Sequence, residues 1–283
     1  MDPKKEILDI KELTIEFASH SGWNRVVENL SLSLYENEIL AVVGESGSGK
    51  SVTCSAITRL LPENNSRISS GEIIFSSGGE KTDLLSCGEK HLRKIRGGRI
   101  AYIFQEPGMS LNPVMNIGAQ ITESLKLHRP EIKDRKAEVI SLLKKVGINS
   151  PEHNYRAYPH ELSGGMQQRV MIAMALACQP DILIADEPTT ALDVSIQAKI
   201  VDLLMRLKDD TGMSIIFITH NLALISHLAD RIAVMYKGKI VELGKTEDII
   251  NKPQHPYTES LLAAVPRLIK PDSRNVLQPS TAD

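Results

Sequence analysis

Cysteine is scarce: Cys54, Cys87 and Cys178 are an odd number of residues set far apart in a chain of 283. That spacing excludes a disulfide framework and a close-spaced metal site, and it points to a reducing compartment, the cytoplasm. Long apolar runs are missing too. The most apolar stretches, residues 39–43 and 182–185, fall far short of the roughly 20 residues that span a bilayer, so no membrane-crossing segment is expected. The opening MDPKKEILDI lacks the apolar stretch of a secretory signal, so the protein is expected to stay where it is made. Nor does one sign of charge prevail. With 33 basic against 35 acidic residues, the chain as a whole offers no electrostatic basis for nucleic acid or anionic lipid as its main partner. What is present is 42% apolar residues, enough to bury the core of one large α/β domain, with or without a small insertion.

Residues 7–34 hold short alternating apolar stretches joined by a turn-rich segment, 18–24, which predicts a small antiparallel sheet. Residues 39–43 form a continuous apolar run that ends in glycine and leads into an amphipathic stretch, 51–61. This reads as a buried parallel strand feeding a helix. Between residues 117 and 146 the period becomes helical, with Ile121, Leu125, Ile140, Leu143 and Val146 among charges, and an inserted helical subdomain is expected. A helix (167–178), a strand (182–185), a helix (195–208) and a strand (214–219) then alternate, predicting a mostly parallel sheet covered on both faces. From Pro266 onward prolines and polar residues dominate, and an extended or mobile end is expected.

Residues 44–51 read GESGSGKS, the phosphate-binding loop pattern GxxxxGK[ST], between the strand and helix that this pattern requires. The candidate nucleotide-binding residues are Gly44, Glu45, Ser46, Gly47, Ser48, Gly49, Lys50, Ser51 and Val52. Glycines let the backbone amides turn around a polyphosphate at a helix start; Lys50 neutralises β and γ oxygens, and Ser51 ligates magnesium. Residues 182–187, ILIADE, form a buried strand ending in two carboxylates, placed beside that loop in an α/β sheet. Asp186 is the candidate magnesium carboxylate, and Glu187 the candidate general base for the attacking water. LSGGMQQR, residues 162–169, precedes a long helical stretch, so Ser163, Gly164 and Gly165 form a second anion site at a helix start; an ordinary serine cap is the competing account.

GESGSGKS, LSGGMQQR, ILIADEP, TALD (190–193) and ITH (218–220) occur in the order and rough spacing of the ABC ATPase family, which the chain resembles over nearly its whole length. The resemblance implies a P-loop NTPase α/β core with a mostly parallel sheet, an N-terminal antiparallel β layer and an inserted α-helical subdomain. The implied division is 1–105 for the β layer and first part of the core, 106–162 for the helical subdomain, 163–245 for the rest of the core and 246–283 for a C-terminal extension. By the same resemblance, Ser163, Gly164 and Gly165 contact the γ phosphate held on a partner's loop, so two subunits close head to tail around two ATP molecules. Gln105 in YIFQEP matches the glutamine that senses Mg2+ and attacking water. His220 matches the histidine that contacts the γ phosphate and steadies the catalytic glutamate, and Asp193 the aspartate that bridges the dimer. For the adenine ring Phe17 is the match, with Trp23 as competitor and a plain core role for Phe17 still open.

FQEPGMSLNPVMNIG (104–118), DEPTTALDVSIQAKI (186–200) and HPYTESLLAAVPRL (255–268) are similar to the oligopeptide, dipeptide and nickel branch of bacterial ABC importers. That implies ATP hydrolysis driving uptake of peptides, or of a nickel or other metal chelate, at the cytoplasmic face of the inner membrane. Its implied partners are a second, distinct ATPase subunit, two membrane permeases and, indirectly, an extracytoplasmic substrate-binding protein, with no nucleic acid. Many members of the branch continue into a cysteine-rich tail that holds an iron–sulfur cluster; no cysteine follows Cys178 here, so no cluster is carried over. Two other readings stand beside this one. A soluble ABC ATPase acting on DNA or ribosomes would need a coiled coil, tandem cassettes or a basic arm. A catalytically silent half of a heterodimer is opposed by Glu187, His220 and Ser163.

Overall fold

The structure, a computed structural model, describes residues 5–20, 22–190 and 193–264. Its strands in chain order are β1 (Glu6–Ser19), β2 (Gly22–Tyr35), β3 (Ile39–Val43), β4 (Ser66–Ser77), β5 (Glu80–Asp83), β6 (Ile100–Ile103), β7 (Ile182–Asp186), β8 (Ser214–Thr219), β9 (Arg231–Tyr236) and β10 (Lys239–Lys245). Among the described residues they make two sheets. One is antiparallel in the order β2-β1-β4-β5; the other runs β10-β9-β3-β8-β7-β6, parallel throughout except for β10 at its edge.

The five-residue run of β3 explains how the layers stack. Successive side chains on a strand point to opposite faces. Ile39, Ala41 and Val43 therefore enter one core, shared with the helices Ile117–His128, Arg135–Lys145 and Gly164–Leu176. Leu40 and Val42 enter the other, shared with Ile10, Leu13 and Ile15 of the antiparallel sheet. Burial on both faces is why β3, β7 and β8 read as unbroken apolar runs rather than alternating ones. The inserted helices start where the sequence supplies caps: Asn116 and Asp134 accept from the amides of Ala119 and Ala137 at 2.8 and 3.0 Å. No helix of the described residues is long and apolar enough to cross a membrane.

Two expectations change. The segment expected as a long turn, 18–24, is mostly strand, because Ala18 pairs with Trp23 and Ser19 with Gly22. Its polar composition reflects an exposed hairpin end rather than a loop. Strands β4, β5, β6, β9 and β10 were not foreseen; in β10, charged and half-exposed residues such as Lys239 and Glu242 break the apolar pattern. The turn between β9 and β10 did carry a signal: Lys237 and Gly238 both have positive φ, 47° and 79°, as a tight hairpin turn demands. The extended end expected from Pro266 lies outside the described residues.

The parallel strands β3, β6, β7 and β8 all end on one side of the sheet. Their carboxyl ends deliver the GESGSGKS loop, Gln105, Asp186 and Glu187, and His220 to the same place, as an open α/β sheet does for its ligand crevice.

Candidate functional site

The loop after β3 is bent tightly enough that side chains are excluded from it. Gly44 has φ 155°, and a Cβ there would lie 2.2 Å from the Met235 carbonyl oxygen. Gly49, at φ 104°, is the N-cap of the helix Lys50–Ile57. Only glycine adopts such a backbone at no steric cost, so the loop can wrap its amides around an anion at that helix start.

A cavity of about 610 Å³ opens over the loop. Glu45, Ser46, Gly47, Gly49, Lys50, Ser51 and Val52 line one wall, and Gln105, Glu187, Thr190 and His220 line the other. The Lys50 ammonium donates to the carbonyls of Gly44 and Glu45, both at 2.8 Å. Burial pushes its pKa below the ordinary lysine range, against the pull of the Glu187, Asp186 and Glu45 carboxylates. An incoming polyphosphate offers this desolvated cation a better partner than two neutral carbonyls.

Asp186 sits behind Ser51 and is buried. Ser51 Oγ donates to its Oδ1 at 2.9 Å, and the Tyr102 hydroxyl to its Oδ2 at 2.7 Å. Desolvation raises the Asp186 pKa, and the hydrogen bonds from Tyr102 and Ser51 only partly oppose that. Ionised Asp186 therefore destabilises the empty fold. Because the folded pKa is raised, stability associated with this group is fully present below the unfolded pKa and is lost as pH rises through the folded value. Asp186→Asn is expected to melt at a higher temperature than the wild type at pH 8 without nucleotide, with the gap closing as pH falls. Differential scanning fluorimetry across a pH series checks this, and a lower melting temperature at pH 8 would contradict it.

Glu187 is held by both carboxylate oxygens. Oε2 accepts from Gln105 Nε2 at 3.2 Å and from Thr190 Oγ1 at 2.8 Å, while His220 Nδ1 lies 3.3 Å from Oε1. Its backbone is left-handed, φ 44°, with the amide bonded to the Ile218 carbonyl at 3.0 Å. A non-glycine residue in this region carries strain, and here it turns the carboxylate into the cavity.

Other expected residues lie elsewhere in this single chain. Ser163, Gly164 and Gly165 begin the helix Gly164–Leu176, and the Ser163 hydroxyl makes no cap hydrogen bond, so the plain serine cap is not what stands there. A Cβ on Gly165 would lie 3.2 Å from Ile196. Asp193 precedes the helix Val194–Thr211, exposed and also without a side-chain cap bond. Phe17 is on β1, half-buried against the core of the antiparallel sheet and not in the cavity wall, while Trp23 is exposed with Arg67 4.2 Å over its ring. Sequence reasoning missed Tyr102 and Thr190. A tyrosine inside the otherwise apolar strand IAYI was the available signal for the first. A larger polar cavity of about 860 Å³ lies at the opposite, N-terminal ends of the parallel strands, lined by Arg99, Asp181 and Ser214, and holds none of the motif residues.

The sequence profile of the ABC transporter family matches residues 27–190, and that of the oligopeptide/dipeptide transporter C-terminal region matches residues 241–282. The chain is 46% identical over 265 residues to the dipeptide transport ATP-binding protein DppD of Bacillus subtilis, covering 93% of this chain and 78% of that protein. It is 49% identical over 263 residues to the oligopeptide transport ATP-binding protein OppD of the same organism, covering 93% and 72%. Among solved structures it is similar to the dimeric ATP-binding cassette MJ0796 bound to ADP and Pi, with a TM-score of 0.73 at 28% identity over 85% of this chain and 99% of that one.

Proposed function

The chain belongs to the ABC transporter family, in its oligopeptide and dipeptide branch, and from that premise we propose that it is the ATP-hydrolysing subunit of a bacterial peptide importer. The observation that carries the proposal is the convergence of Lys50, Gln105, Glu187 and His220 on one cavity, with Asp186 bonded to Ser51 behind it. ATP lies with its polyphosphate on the loop amides of residues 44–51. Lys50 leaves its two carbonyls for the β and γ oxygens. Glu187, oriented by Gln105, Thr190 and His220, accepts the proton of the attacking water.

The donors fit Mg2+: Ser51 Oγ and the Asp186 carboxylate are hard oxygens 2.9 Å apart, and Gln105 offers another across the cavity. When bound, Mg2+ neutralises charge on the β and γ phosphates. Ser163, Gly164, Gly165 and Asp193 stand outside the cavity in a single chain. By their family roles Ser163, Gly164 and Gly165 face a partner's nucleotide and Asp193 bridges the dimer, so the working unit is a head-to-tail pair, with a related but distinct ATPase as the second subunit. Phe17 is retained as the adenine contact. The division at residues 105, 162 and 245 is retained with it.

The solute is a di- or oligopeptide rather than a nickel chelate, as the names of the relatives favour. Two permeases dock near Gln105 and the helical layer, where Phe104, Met109 and Val114 are exposed. The chain then sits peripherally on the cytoplasmic face of the inner membrane. Purification of the tagged chain from mild detergent is expected to bring down two permeases and a second ATPase, identified by mass spectrometry. Recovery of ribosomal or DNA-bound proteins in their place would overturn the transport assignment.

A further inference from the structure

The nucleotide loop is held from below by a part of the chain that carries none of the ATPase motifs. Gly238, in the turn between β9 and β10, donates its amide to the Ser48 carbonyl at 3.0 Å. At the other end of the loop the Glu45 amide donates to the hydroxyl oxygen of Tyr257 at 2.9 Å. Tyr257 lies on the helix Pro256–Ala263, within the stretch matched by the peptide-transporter C-terminal profile. Packing and hydrogen bonds fix its position in turn. The ring packs on Tyr236 with centroids 4.2 Å apart and is 9% exposed. His255 Nδ1 accepts from the Tyr257 amide at 3.1 Å and caps the helix. The Glu242 carboxylate of β10 accepts the amides of Gln254 and His255 at 2.9 and 3.1 Å, which ties the segment to the edge of the sheet.

Glu45 is a pivotal residue for the loop. Its carbonyl receives the Lys50 ammonium at 2.8 Å, while its amide goes to Tyr257. Fixing the Gly44–Glu45 peptide, whose Gly44 carbonyl also receives Lys50 at 2.8 Å, fixes where Lys50 waits and how the amides that follow it face the cavity. A binding loop held in its working shape loses less conformational freedom when its ligand arrives.

We propose that Tyr257 is a positioning residue for the nucleotide site, and that the C-terminal segment acts as a bracket that pre-shapes the phosphate loop through the Glu45 amide. The proposal rests on the reading of that loop as the ATP site. The bracket couples the region that distinguishes the peptide-transporter branch to nucleotide affinity.

Tyr257→Phe keeps the ring and its packing and deletes only the hydroxyl. In the full chain it is expected to raise the Kd for MANT-ATP about three- to tenfold, the factor that loss of one hydrogen bond carries. The melting temperature without nucleotide falls by no more than about 4 °C, the shift that loss of one hydrogen bond carries in a fold of this size. In the assembled transporter KM for ATP rises by a similar factor while kcat stays within about twofold, since the reacting groups are untouched. Glu45→Pro removes the amide that Tyr257 receives, at a residue whose φ is not positive. Adding Tyr257→Phe to that variant is expected to change Kd no further. Hydrogen exchange at the Glu45 amide, faster in Tyr257→Phe, reads the same contact without relying on the proline variant. Unchanged Kd and unchanged exchange in Tyr257→Phe would overturn the bracket while Lys50→Ala still lost ATP. Failure of the wild-type chain to bind MANT-ATP would overturn the nucleotide reading, and the bracket with it.

Discussion

Glu187→Gln is expected to lower ATP hydrolysis by the assembled transporter by about 100-fold or more while leaving ATP bound. The substitution is isosteric, and the amide oxygen still accepts from Thr190 Oγ1 or Gln105 Nε2, so the side chain keeps its place. What it loses is the ability to take a proton from water. The phosphate contacts of the loop come from the opposite wall, that of Glu45 and Lys50, and are not altered. Binding without turnover should trap the ATP-loaded pair of subunits closed. Phosphate release at saturating ATP, MANT-ATP affinity and the size-exclusion profile with and without ATP measure the three parts. Steady-state hydrolysis equal to that of the wild type would remove Glu187 from the role of base.

The second large effect falls on binding. Lys50→Ala is expected to weaken ATP affinity about 10- to 100-fold, because charge-assisted contacts to the phosphates are roughly twice as strong as neutral ones and each contributes about 1.5–3 kcal/mol. The empty fold should hardly notice. Burial already disfavours the Lys50 cation, and of its two carbonyl partners that of Glu45 belongs to a residue lining cavity space that water can enter. Wild type and variant should therefore melt together without nucleotide and separate when ATP is added, since a ligand stabilises only in proportion to its binding. Wild-type ATP affinity in Lys50→Ala would remove the residue from the phosphate site. The two variants also separate the two walls of the cavity: one binds and does not turn over, and the other fails to bind.

Much of the site could be read before the fold was known. GESGSGKS specifies its own geometry, because glycines at Gly44 and Gly49 allow a backbone that other residues resist, and the helix dipole follows from the strand and helix on either side. Ile39–Val43 and Ile182–Asp186 were legible as buried strands because both faces are covered, which leaves an uninterrupted apolar run. Strand β10 was not legible in the same way. At a sheet edge only some side chains are buried, and the pattern of residues 239–245 mixes apolar with charged positions.

The sequence alone determined which chemical groups this protein owns: a phosphate loop, two carboxylates at a strand end, a glutamine and a histidine, since each belongs to a short local motif whose backbone conformation neighbouring residues dictate. The tertiary structure decided their company. Asp186 meets Ser51 and Tyr102, Glu187 meets Gln105, Thr190 and His220, and Glu45 meets Tyr257, 212 positions away along the chain. Such pairs depend on strand order and on side-chain packing between distant segments. A local pattern carries no record of either.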